Sequence, residues 1–271
     1  MNHDLLFLAH NRREFTETSI AALTANTDWS QVDRLIKYVD VDAHGRDDGT
    51  QNVVVEWHPP GPTSCTRIGQ HGGPVNVMLK YLEEFGGDAE WFAKIDNDVI
   101  VPPGWWEAGA IRMNVYPGLD LLGIEPPASR TPAPWAGGKR IAVPELQWKP
   151  PDPLYSPCDA IGGVGFMRTR AFLHERRRSM AQHSTYGGFT DWQLHYSRRP
   201  GCAESKEPNW LPLNVGWIVP PLKLFLLDRL PFEPWLSLSR EYIAKGWQRK
   251  WTGYPASAGP ELWDWWLQSN R

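Results

Sequence analysis

The stretch from Trp91 to Trp106, WFAKIDNDVIVPPGWW, constrains this chain more than any other part of it. Its apolar start, Trp91 to Ile95, has the length and composition of a buried strand. Asp96 and Asp98 follow, two carboxylates one residue apart. Pro102-Pro103-Gly104 then stops the extended chain, and Trp105-Trp106 opens a helix. Ligands of open α/β sheets collect at the carboxyl ends of strands, so a strand that ends in acids presents them to whatever binds there. An Asp-X-Asp step suits a hard divalent cation that also grips phosphate oxygens, because such ions take oxygen ligands and keep positions open for substrate. Asp-Asn-Asp is equally good turn chemistry, since short polar side chains bond their own backbone.

The residues before this stretch supply the rest of a sheet. Asp4 to Ala9 reads as a first strand with His10-Asn11-Arg12-Arg13 at its carboxyl end, and Glu14 to Asn26 as a helix. Leu35 to Val39 reads as a second strand closed by Asp40 and Asp42, and Val53 to Trp57 as a third. Gly72-Gly73-Pro74 places proline where a first helical turn accepts it, and Val75 to Phe85 has helical spacing. Strand, helix, strand, strand, helix, strand is the pattern of a doubly wound α/β fold: a mostly parallel central sheet flanked by helices.

Beyond it, Leu119 to Ile124 is expected as a strand. Pro126 to Pro157 holds nine prolines in 32 residues and reads as a long ordered excursion over the sheet. Ala160 to Met167 reads as a strand with Gly162 and Gly163 at its head, where a backbone or ligand can approach closely. A helix over Arg170 to Gln182 follows, and Thr190 or Asp191 can cap a short helix after it. Val215 to Leu227 reads as a last buried strand region, closed by Asp228. The final 62 residues hold eight tryptophans, more simply core and interface filler than a binding platform. The expected organisation is one domain over 1–209, with 210–271 as a Trp-rich C-terminal segment packed on it.

Composition excludes several classes. A net charge of -3 and a pI of about 6.2 leave no global polycation of the kind that binds nucleic acid unaided. Three cysteines without Cys-X-X-Cys spacing argue against a disulfide scaffold or zinc knuckle and fit a reducing cytoplasm. No run approaches the roughly 20 apolar residues that cross a membrane. A soluble, cytoplasmic protein is expected, with no membrane association and no obligate protein partner.

Taken in order, Phe7-Leu8-Ala9-His10-Asn11-Arg12, the aspartate ending the second strand, Asp96-Asn97-Asp98, the segment Gly162 to Thr169 and Asp191-Trp192 resemble the nucleotide-sugar glycosyltransferases of the GT-A fold, particularly family 2. The resemblance covers roughly residues 4 to 200. The whole chain is also similar to family 2-like enzymes encoded by bacteriophages, whose tails run similarly into Leu227-Asp228-Arg229-Leu230. It implies that His10, Asn11 and Asp40 or Asp42 sit against the nucleotide base, with Gly162 and Gly163 also on the donor side. Asp96 would face the ribose and metal, and Asp98 would bind a manganese or magnesium ion bridging the diphosphate of a nucleotide-sugar, UDP-linked by analogy. Asp191 matches the base of inverting enzymes. Family members often add a late histidine as a metal ligand; no obvious histidine follows His195, and Asp228 is the substitute candidate.

The implied acceptor is a hydroxyl, with a hydroxymethylated base in phage DNA as one option beside a saccharide, a small metabolite or a protein hydroxyl. A base drawn out of DNA needs an aromatic wall, and Trp192 is the candidate. Arg168, Arg170, Arg176 to Arg178, Arg249 and Lys250 would line the path of such DNA. A sugar-nucleotide pyrophosphorylase would want a glycine-rich phosphate loop after the first strand, and His10 to Arg13 has no glycine. A non-catalytic sugar- or nucleic-acid-binding protein is the alternative of a different class.

Overall fold

The computed structural model describes residues 2–41, 47–85, 89–124, 154–157, 161, 165–172, 215–218, 224–230 and 233–248. The first part of the chain alternates as the sequence implies: β1 (Asn2–Ala9), α1 (Arg13–Asn26), β2 (Arg34–Asp40), α2 (Thr50–Glu56), β3 (Thr63–Gly69), α3 (Pro74–Phe85) and β4 (Ala89–Asp96). Then come β5 (Val99–Ile100), α4 (Trp105–Val115), β6 (Leu121–Gly123), β7 (Tyr155–Pro157), β8 (Gly165–Arg168), β9 (Val215–Ile218), β10 (Phe225–Leu226) and a helix, α5 (Trp235–Ala244).

Eight strands form one sheet in the order β3-β2-β1-β4-β8-β6-β9-β7. β3, β2, β1 and β4 are mutually parallel, and β8 runs antiparallel to both β4 and β6. This is the mostly parallel, helix-flanked sheet that the resemblance implies. Both faces of the central strands are covered, so β1 is apolar at successive positions instead of alternating with polar residues. Leu5, Phe7 and Ala9 enter the core with Leu23 of α1, Val54 of α2 and Trp105, Trp106 and Met113 of α4. Leu6 and Leu8 point the other way, to Val75, Met78, Tyr81 and Leu82 of α3. The approach of α4 to the sheet requires Gly109, because a Cβ there would lie 2.0 Å from the ring of Phe166.

Two elements differ from the sequence expectation. Val53 to Trp57 is not a strand; most of it belongs to α2. Local capping outweighs the β-branched valines. Asp48 accepts from the Thr50 amide at 3.2 Å and hydroxyl at 2.5 Å, and Asp47 accepts from the Gln51 amide at 3.3 Å. At the other end the buried Lys37 ammonium donates to the carbonyls of Val54 (2.9 Å) and Trp57 (2.6 Å), satisfying groups that a helix terminus leaves open. The third strand of the parallel run is instead Thr63–Gly69, an edge strand whose polar, half-exposed residues carry no apolar signal. The expected strand over Ala160 to Met167 begins only at Gly165 among the described residues.

A smaller apolar cluster joins the first helix to the last described one. Phe15 of α1 and Ile100 of β5 pack with Phe225, Leu227, Leu230, Trp235 and Tyr242. Phe15 meets Tyr242 edge-on at 5.1 Å, and the Tyr242 hydroxyl donates to Glu14. Trp235 and Trp247 belong to this cluster and Trp217 packs on the α3 side of the sheet, so these three tail tryptophans serve packing. Trp210, Trp251, Trp263, Trp265 and Trp266 lie outside the described residues. Among the described residues no helix is long and apolar enough to cross a membrane.

Candidate functional site

β1 is flanked by β2 on one side and β4 on the other, so the carboxyl ends of β1 and β4 open onto the crevice where the strand order reverses. The residues leaving those two strands meet there. Arg12 donates through Nη1 to Asp98 Oδ2 and through Nη2 to Asn97 Oδ1, each at 2.9 Å. Asn97 in turn donates to the carbonyl of Asn11 at 2.8 Å and to the hydroxyl of Thr16 at 2.7 Å. Asn97 is thus the pin between the acidic loop and the start of α1, a role the sequence motif conceals because asparagine is the variable middle of Asp-X-Asp. Asn11 and Arg12 both have positive φ, 46° and 64°. That conformation is uncommon outside glycine, asparagine and aspartate, and for Arg12 it costs on the order of 1–2 kcal/mol. The Asn97 and Asp98 contacts offset that cost.

A third carboxylate comes from the far end of the chain. β5, immediately after Asp98, pairs antiparallel with β10 through Val99–Leu226 and Ile100–Phe225. The Leu227 amide donates to the Asp98 carbonyl at 2.8 Å, and Asp228 follows. Burial, then the nearby charge of Asp98, pushes the Asp228 carboxyl up to about 7, while Arg12 and Arg229 pull the other way. Its Oδ1 has no hydrogen-bond partner among the described residues, and the nearest Arg229 nitrogen is 4.0 Å away. Asp96 is also pushed upward by burial, against the Lys94 ammonium, which donates to it at 2.6 Å from the interior of the sheet. Burial works against the charge of Arg12, but Asp98 and Asp228 outweigh it and the guanidinium is held more firmly protonated than usual.

Asp96, Asp98 and Asp228 offer hard oxygen donors, and the unpartnered Asp228 Oδ1 together with the mutual repulsion of these acids suits a divalent cation. As arranged, Asp96 faces Lys94 and Asp98 faces Arg12, and among the described residues no group of three His, Cys, Asp or Glu side chains is set to hold a metal. The donor chemistry fits a divalent cation; as placed, Arg12 and Lys94 are the partners of Asp98 and Asp96.

His10 and Asp40 also lie together, but through the backbone: His10 Nδ1 sits 3.0 Å from the Asp40 carbonyl. The Asp40 carboxylate turns to its own chain, accepting from the amides of His71 (2.6 Å), Gly72 (3.3 Å) and Gly73 (3.2 Å). Gly72 and Gly73 have φ of 74° and 95°, which lets three successive amides converge on one carboxylate. Asp42, Gly162, Gly163, Asp191 and Trp192 lie outside the described residues. Arg168 does not line any path for DNA. It is 1% exposed, donates to the carbonyls of Leu119, Met113 and Tyr116 and pairs with Glu90. Arg170 is half-exposed, 3.4 Å from Asp120. Arg176 to Arg178, Arg249 and Lys250 are outside the described residues.

The sequence matches no known family profile and no curated protein. Solved structures do match. The 1–349 fragment of TarS from S. aureus superposes with a TM-score of 0.50 at 11% identity, over 99% of this chain and 79% of that one. A longer S. aureus TarS structure gives 0.49 at 11% identity over 83% of this chain; this chain spans only 36% of its length. Glucosyl-3-phosphoglycerate synthase from Mycobacterium tuberculosis, in complex with Mn2+, uridine diphosphate and phosphoglyceric acid, gives 0.40 at 14% identity over 62% of this chain and 55% of that one. At such identity, the likeness to the TarS fragment shows a shared fold.

Proposed function

We propose that this chain is an inverting, metal-dependent glycosyltransferase that moves a sugar from a nucleotide-sugar, UDP-linked in the first instance, to a hydroxyl acceptor. One observation carries the reading. Three carboxylates and two cations, Arg12 and the buried Lys94, converge at the carboxyl ends of β1 and β4, and the third carboxylate is delivered by the pairing of β10 with β5, the strand that follows Asp98. Cleavage of a sugar–diphosphate bond leaves negative charge on the departing diphosphate, and a manganese or magnesium ion held by Asp96, Asp98 and Asp228 would offset it without a proton. Lys94 keeps Asp96 in place, and Asn97 fixes the loop on which both acids ride. His10 and Asn11 leave β1 beside this point and are assigned to the base. Asp40 supports that side by tying the His71–Gly73 turn to the end of β2. Gly162, Gly163 and Asp42 keep their donor-side assignment from the resemblance, and Asp191 keeps that of the base that deprotonates the acceptor.

The acceptor we favour is a hydroxymethylated base in phage DNA, with Trp192 as the wall against it; this rests on the resemblance to phage-encoded enzymes. The test is a panel of nucleotide-sugars with release of nucleoside diphosphate as the readout. It is run with and without Mn2+, and with and without hydroxymethylated DNA. Metal-dependent release from at least one donor supports the transferase. Binding of donors with no release, in any combination of metal and acceptor, would leave a sugar-nucleotide-binding protein. Release accelerated by a saccharide and not by DNA would replace the acceptor only.

A further inference from the structure

We infer that Arg12 is the resident counter-ion of the acidic loop, and that metal and diphosphate bind together by exchanging its partners. The inference rests on the metal-dependent reading above and names the residue that regulates that site. Arg12 stands on strained backbone at the N-terminus of α1, with its guanidinium across Asn97 Oδ1 and Asp98 Oδ2. It occupies Asp98 Oδ2, one of the two oxygens that this carboxylate can offer a cation. Asn97 is itself fixed by Asn11 and Thr16, so the two-point hold is built and not a chance approach of surface groups. Among the described residues, Arg12 Nε and Asn11 Nδ2 are buried donors without partners, and Asn11 is only 3% exposed. Unused donors beside a guanidinium suit the oxygens of a phosphate.

A metal ion arriving alone has to displace a cation from Asp98 and leave Arg12 buried without its carboxylate, which is unfavourable. A diphosphate arriving alone meets three carboxylates. Arriving together, the metal takes the carboxylates while Arg12 and the idle donors take phosphate oxygens, so each ligand removes the other's penalty. That is a positive coupling between two sites, and by linkage it is reciprocal.

The experiment measures Mn2+ binding to the full chain by the loss of free-ion paramagnetic signal, with and without UDP as the probe, for the wild type, Arg12→Gln and Arg12→Lys. Arg12→Gln is expected to bind Mn2+ at least about 10-fold more tightly than the wild type in the absence of UDP. The enhancement of Mn2+ binding by UDP should shrink by a similar factor. Arg12→Lys keeps the charge but cannot span Asn97 and Asp98 together. It should fall between the two, and it carries the test if the glutamine variant does not fold. Equal or weaker Mn2+ binding by a folded variant, beside a wild type that binds Mn2+ with UDP, overturns the inference and leaves the transferase reading intact. No Mn2+ binding by any of the three proteins, even with UDP, overturns the metal reading and this inference with it.

Discussion

The backbone amide of Leu227 donates to the carbonyl of Asp98 across 2.8 Å, joining the C-terminal segment to the acidic loop. The bond sits at the end of the β5–β10 pair and above the cluster in which Phe15, Trp235 and Tyr242 pack. The position of Asp228 therefore depends on packing between the first helix and the last described one. Apolar contacts beside the acids, through Ile100 and Leu227, help set their geometry.

Asp228→Asn is expected to separate stability from activity. The Asp228 carboxyl is raised from 3.8 to about 7, so between those values the folded protein holds a proton that the unfolded chain has lost. That contribution to stability is present below pH 4 and disappears as the pH rises through about 7. The asparagine variant lacks this dependence. Its melting temperature should match the wild type near pH 4 and exceed it above about pH 7, while metal-dependent turnover falls. A stability difference that does not change with pH counts against an ionisable Asp228 in this position.

Lys94→Met should be damaging in both respects. Lys94 is fully buried and donates to Asp96 at 2.6 Å, and burial already pushes Asp96 upward. Removing the ammonium leaves a partly exposed carboxylate without its partner, so the loss of stability should stay below the roughly 3–5 kcal/mol of a fully buried pair. Chemical denaturation measures that loss, and a neutralised Asp96 should lower turnover as well. Lys94→Met with wild-type stability would mean that the pair contributes nothing net.

Asp40 distinguishes a base contact from a loop support. Asp40→Ala leaves three amides of the His71–Gly73 turn without an acceptor and should cost about 1–3 kcal/mol, whatever the ligand. Because His10 bonds the Asp40 carbonyl and not its side chain, the His10 contact should survive. If donor affinity and loop stability fall together in Asp40→Ala, the residue acts through the turn. A loss of affinity with no loss of stability places its carboxylate on the base.

Much of the sheet was legible because buried parallel strands are continuous apolar runs: β1, β2 and β4 announce themselves within a residue or two of their observed ends. β3 was not, because an edge strand need bury little, and Thr63 to Gly69 carries only Cys65 and Ile68 as apolar residues. α2 was misread because its stabilisation comes from Asp47, Asp48 and Lys37, which are outside its valine run. At the candidate site, Asp96 and Asp98 stand out by type and spacing, and Asp228 enters only through the resemblance, as a substitute for the late histidine that family members often supply. Arg12, Lys94 and Asn97 were not singled out, since their roles arise from contacts across 85 residues or from the interior of a strand. A lysine two residues before an aspartate on a buried strand is the one local signal that was available, because both side chains share a face.

The arginines predicted to guide DNA now divide into two kinds, and the division tests the acceptor. Arg168 caps the carboxyl end of α4 from inside the protein, where its carbonyl partners are Leu119, Met113 and Tyr116. Arg168→Ala should unfold the protein or lower its melting temperature markedly, because it strips buried carbonyls of their donor and leaves a cavity. It should say nothing about DNA. Arg170 is half-exposed and, among the described residues, lies 3.4 Å from Asp120, so its replacement should leave the fold intact. If Arg170 meets a phosphate, Arg170→Ala should reduce the slope of log affinity against log salt by about one unit, the loss of one released counterion. Titrations of hydroxymethylated duplex at several salt concentrations give that slope directly. An unchanged slope for Arg170→Ala, beside a wild type whose binding does weaken with salt, moves the DNA path away from the carboxyl end of β8. Salt-independent binding by the wild type removes DNA as the acceptor and turns the search to saccharides.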